Sequence, residues 1–137
     1  MKDFSRYMTV GKLVVFVGAA FFLIYGLAFT LIPIEMSSFV TDTSPTSSSG
    51  IIDMRATYGG MSIAIGLILV FLAKKDSTVH VAMGMLLWLM LGMAFTRVLG
   101  MLIDGNPNTI MYIYLGLELV LAFICGFWLS KGQLGVD

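Results

Sequence analysis

The segment VHVAMGMLLWLMLGMAFTRVLGMLI, Val79–Ile103, decides the fold. It carries one full charge, Arg97, in a run long enough to cross a hydrocarbon core of about 30 Å as a helix. Working outward, three more apolar runs appear at about Leu13–Ile34, Ile51–Ala73 and Thr109–Leu129. Runs this long and uniformly apolar are not barrel strands, and only helices or closed barrels satisfy their backbone groups in lipid. The whole chain repeats the message. Of its 137 residues 58% are hydrophobic and 12% charged, where a soluble domain is about a quarter charged. Mean hydropathy is +0.96. Eight basic residues balance eight acidic ones without forming a basic patch, which excludes a nucleic-acid partner. The same composition excludes intrinsic disorder. The lone Cys125 excludes an internal disulfide and any multi-cysteine metal site.

The expected fold is therefore all-α, an integral membrane up-down four-helix bundle forming one domain over residues 1–137. Lys74–Thr78 and Asp104–Asn108 are short polar turns, which make consecutive spans antiparallel. Glu35–Gly50 reads as a longer Ser/Thr-rich loop around Pro45, either a lid or a solvated connection. The first apolar run outlasts a signal-peptide core and lacks a small-x-small cleavage site, so it is expected to be retained. Lys2, Arg6, Lys12, Lys74, Lys75 and Lys131 all fall on one side of this layout, and the opposite loops contain no Lys or Arg. The positive-inside rule then predicts cytoplasmic termini. Absence of Asn-x-Ser/Thr acceptors from the outer loops suits a bacterial inner membrane.

Arg55, Arg97 and Glu118 are left over. A charge inside a span costs about 2.5–3.5 kcal/mol on insertion scales, so each needs a partner, a wet cavity or a route to the interface. Counted from the outer ends of their spans they lie about 6, 9 and 13 Å deep. At about 100° per residue, Arg55 shares a stripe with Gly59, Ser62 and Gly66. Met90, Met93, Arg97, Met101 and Asp104 share a second, and Met111, Tyr114, Glu118, Ala122 and Cys125 a third. Tyr25, Tyr58 and Tyr114 fall in or near the same layer. The three charges are expected to converge. Two readings stay open: the cluster fixes helix order and nothing more, or it lines an outward-facing pocket. In the pocket reading Arg55, Tyr58, Arg97, Glu118, Tyr25 and Tyr114 bind the polar end of a small amphipathic or lipid-like molecule. No catalytic residue is assigned; Glu118 is the candidate for proton transfer, with Tyr58 or Tyr25 as donor.

The segment Asp53-Met54-Arg55-Ala56-Thr57-Tyr58-Gly59-Gly60 resembles the opening of the second span in a family of bacterial four-helix membrane proteins, catalogued as domain of unknown function 4345. Gly92 through Thr96-Arg97, Asn106-Pro107 and Leu117-Glu118-Leu119 are similar to that family as well, so the resemblance covers nearly the whole chain. It implies the fold and singles out Arg55, Tyr58, Gly59, Gly60, Arg97 and Glu118, but no reaction. Its layout is more remotely similar to DoxX-like proteins, by fold analogy alone.

Small residues recur at four-residue spacing: Ala56, Gly60 and Ala64, then Gly92, Thr96 and Gly100. Gly59, Gly60, Gly92 and Gly100 are expected to let helices pack closely within the bundle or, as the alternative, against a second copy. Eleven methionines invite a copper reading, but the lone His80 lies far from them, so no metal and no cofactor is expected. Met fills irregular cavities in any case. Transport has little support, because no broken helix or inverted repeat is evident. A structural or accessory subunit is the rival to a ligand-binding protein, and membrane lipids are partners under both.

Overall fold

The computed structural model describes residues 2–133, with side chains from Ser5 to Lys131; Lys2, counted above for topology, has no described side chain. Among the described residues the chain is helical with no strand: α1 Lys2–Leu31, α2 Pro33–Thr41, α3 Ser48–Asp53, a π-helical segment Met54–Gly60, α4 Met61–Ala73, α5 Asp76–Asp104 and α6 Thr109–Gln133. Four helical stretches, Ser5–Leu31, Ser48–Ala73, Asp76–Asp104 and Thr109–Lys131, are long and apolar enough to cross a membrane. The protein is a multi-pass membrane protein of the all-α class.

The chain divides into two compact units, residues 16–71 and residues 1–15 with 72–137. In the first, the second half of α1 runs antiparallel to the π-helical segment and α4. A Cβ at Gly26 would lie 2.7 Å from the Gly59 carbonyl oxygen and 2.8 Å from the Ile63 amide. Earlier on α1, the Ala19 carbonyl oxygen and the Leu23 side chain lie as close to a Cβ at Gly66. Bare glycines thus bring backbone against backbone, the membrane substitute for hydrophobic association.

Glu35–Gly50 is not a long loop. Pro33 opens α2 at its first turn, where a missing N–H costs nothing and a fixed φ is already helical, and Glu35 follows in that turn. Asp42 ends α2 in the left-handed conformation, φ 57°, its N–H bonded to the Ser38 carbonyl. The hydroxyls then fold the link back on itself. The buried Ser37 Oγ donates to the Thr43 carbonyl at 2.9 Å, and Ser44 Oγ donates to that of Ile34. Ser47 caps α3 by accepting from the Gly50 N–H at 3.1 Å. Ser47 is thus a cap and Ser37 and Ser44 tie the segment together, while Thr46, Ser48 and Ser49 are exposed.

In the second unit α5 and α6 form a helical hairpin. Gly105, at φ 71° and ψ −177°, holds a conformation essentially reserved for glycine. Asn108 starts α6 by accepting the Met111 N–H at 3.1 Å. Val79, Ala82, Met83, Leu86, Met90 and Ala94 make the buried stripe of α5; Glu118, Ala122, Cys125 and Trp128 are the buried residues of α6. At the other end of this unit, Lys12 of α1 pairs with Asp76 of α5 at 2.6 Å.

Candidate functional site

Arg97 lies one turn beyond Ala94 on the buried stripe of α5, and Glu118 one turn before Ala122 on that of α6. The hairpin therefore brings them face to face. Arg97 Nε donates to Glu118 Oε2 at 3.1 Å and Nη2 to Oε1 at 2.6 Å. This two-pronged fork uses both carboxylate oxygens, the geometry for which guanidinium is preorganised. The Glu118 side chain is 7% exposed and that of Arg97 20%. In hydrocarbon, each charge has the partner it needs.

The third guanidinium nitrogen is placed differently. Nη1 has the Met111 sulfur at 3.0 Å, a weak acceptor, and the guanidinium carbon lies 5.4 Å from the centre of the Tyr114 ring. Beside it an open cleft of about 250 Å³ is lined by Arg97, Gly100, Met101, Asp104, Gly105, Pro107 and Met111. One N–H donor and one carboxylate acceptor, Asp104, share an otherwise mostly apolar lining. Such a cleft suits a molecule with a small polar head.

Arg55, Tyr58 and Tyr25 belong to the other unit. The Tyr25 and Tyr58 rings both pack on Phe29, with centroids 4.8 and 5.2 Å apart. Gly59, Ser62 and Gly66 are buried as their shared stripe predicts, but Arg55 is exposed. Its Nη1 donates to the Thr30 carbonyl oxygen. Thr30 lies in the last turn of α1, whose carbonyls lack helical partners, so the cation also meets the negative end of the helix. Gly59 also packs on Thr30, so Arg55 keeps the α1-facing side of its stripe, and its exposure follows from its place opposite the end of α1.

The glycines separate too. A Cβ at Gly59 would collide with Thr30 Oγ1, whereas one at Gly60 or Gly100 would meet no atom nearer than 3.8 Å. At Gly92 none lies within 4 Å. Among the described residues Gly60, Gly92 and Gly100 therefore do not bring helices together. Gly26 and Gly66 do so alongside Gly59, and their signal is the pairing of small residues at matching depths on antiparallel spans. Sequence reasoning also missed Met111 as a partner of Arg97, although Met111 was placed on the stripe of Glu118.

The family described as Domain of unknown function (DUF4345) matches residues 10–129. The chain belongs to that family. No curated protein matches the chain, and no solved structure does either.

Proposed function

From membership of a family with no assigned reaction, we propose that this protein binds a small amphipathic molecule in the Arg97 cleft. Its head accepts from Arg97 Nη1 and donates to Asp104, as a hydroxyl-bearing head does, while Met101, Pro107 and Met111 hold its apolar part. The observation that carries this reading is the split use of one guanidinium. Two nitrogens are committed to Glu118, and the third borders the cleft with a thioether as its one acceptor among the described residues. The proposal includes the topology given by the basic residues: a bacterial inner-membrane protein with cytoplasmic termini and the cleft in the outer half. Arg55, Tyr58 and Tyr25 are not needed for this cleft.

A second reading has its own support. A fork that occupies both oxygens of Glu118 is complete in itself, as a structural lock in an accessory subunit would be. Native mass spectrometry of the gently extracted protein separates the two. A reproducible co-purifying amphiphile, lost when Met101→Trp fills the cleft, is expected for binding. Nothing bound across several mild detergents speaks for the lock. So does Arg97→Met with Glu118→Leu, if that pair restores stability and leaves the cellular role intact.

A further inference from the structure

A second cleft, of about 480 Å³, lies at the basic end of the α1–α6 pair in the unit of residues 1–15 and 72–137. Its lining is ordered by charge. Arg6, Val10 and Val14 follow one another at single-turn spacing on α1, while Lys131, Phe127 and Ile124 do so in reverse on α6. Both cations thus sit at one end, and the apolar residues extend from them for about 12 Å along the helices. The walls at this end are clasped. Tyr7 stacks on Trp128 with ring centres 4.3 Å apart, its hydroxyl donates to the Trp128 carbonyl at 2.8 Å, and Trp128 Nε1 donates to the Tyr7 carbonyl at 3.1 Å. A Cβ on Gly11 would strike the Trp128 ring, so the helices meet closely behind the cleft.

Charge identifies the occupant. Among the described residues no carboxylate lines this cleft. The ion pair of Asp76 is with Lys12, not with a cation of the cleft. Lys131 rests over the Phe127 ring at 4.7 Å rather than on an anion, and Arg6 forms no ion pair among the described residues. Two cations beside an exposed apolar channel, at the level where Tyr and Trp mark a membrane–water boundary, complement a phosphate with an acyl chain attached. We propose that this cleft is a binding site for an anionic glycerophospholipid. The phosphodiester sits between Arg6 and Lys131, and the first part of one acyl chain lies along Val10, Val14 and Ile124. This site is separate from the Arg97 cleft and does not rest on it.

The test is native mass spectrometry of the full chain in detergent, supplied with dioleoyl phosphatidylglycerol or dioleoyl phosphatidylcholine. At about one membrane-surface increment per cation, wild type should prefer the anionic lipid roughly thirtyfold. Arg6→Gln with Lys131→Gln, both exposed positions, should erase that preference and leave phosphatidylcholine retention unchanged. Val14→Trp should lower retention of both lipids while keeping the charges. Equal retention of the two lipids by wild type would overturn the proposal, as would an undiminished preference in the double variant. Displacement by inorganic phosphate at matched concentration would also overturn it, by showing that the chain contributes nothing. Arg97→Met with Glu118→Leu should leave the preference intact, so failure at one cleft is distinguishable from failure at the other.

Discussion

Arg97 and Arg55 both lie well away from the basic ends of the spans, and the chain answers them in opposite ways. Arg97 meets a carboxylate on a neighbouring helix and is mostly buried. Arg55 is exposed and caps the end of α1 through the Thr30 carbonyl, without a carboxylate. A deep cation demands a full counter-charge, whereas one near a helix end can draw on backbone carbonyls and the helix dipole. The lesson is that an intramembrane charge has to be read with the helix termini around it and not only against other charges.

The sharpest way to break this contrast is to remove one member of the fork. Glu118→Leu should cost about 3–5 kcal/mol by leaving Arg97 without its counter-charge, measured by denaturant or thermal unfolding in a fixed detergent. Adding Arg97→Met to that variant should recover most of the loss; if it does not, the pair is more than a matched couple of charges. Next in size is Gly59→Leu, which drives a side chain into Thr30 and should cost about 2 kcal/mol. Arg55→Met should cost less, about 1.5 kcal/mol for one charge-assisted hydrogen bond, and Glu118→Leu should not alter that cost. A coupling between Arg55 and Glu118 in the double variant would instead place them in one network. The smallest effect is expected at Gly92→Ala, a gain of about 0.5–1 kcal/mol, because the added methyl meets nothing and helix propensity improves. A loss there would point to a packing partner outside the chain.

Much of this was legible beforehand, for reasons that can be named. The four spans follow from hydropathy, which acts over a whole run and tolerates errors at its ends. The meeting of Arg97 and Glu118 follows from phase and depth on two uninterrupted α-helices joined by a tight turn. The helix at Pro33–Thr41 is hidden because Ser and Thr favour loops as well as helix ends. Pro33 and Glu35 in its first turn were the available signals. The bond from Arg55 to the Thr30 carbonyl was not recoverable, because a backbone acceptor leaves no mark in the sequence. No residue type marks a π-helical turn, and two adjacent glycines, Gly59 and Gly60, are at most a hint of irregular winding.

That wider coil at Met54–Gly60 leaves the second span with slack in its thread. Shortening the chain by a single residue within this stretch, at Ala56 for example, could be taken up by tightening to ordinary α winding, so that Ser62 and Gly66 keep their inward aim. The same deletion a few turns later, in Met61–Ala73, has no such reserve and would swing the remainder of the helix away from its neighbours. Tolerance to length change along this span should therefore be sharply local, concentrated in Met54–Gly60.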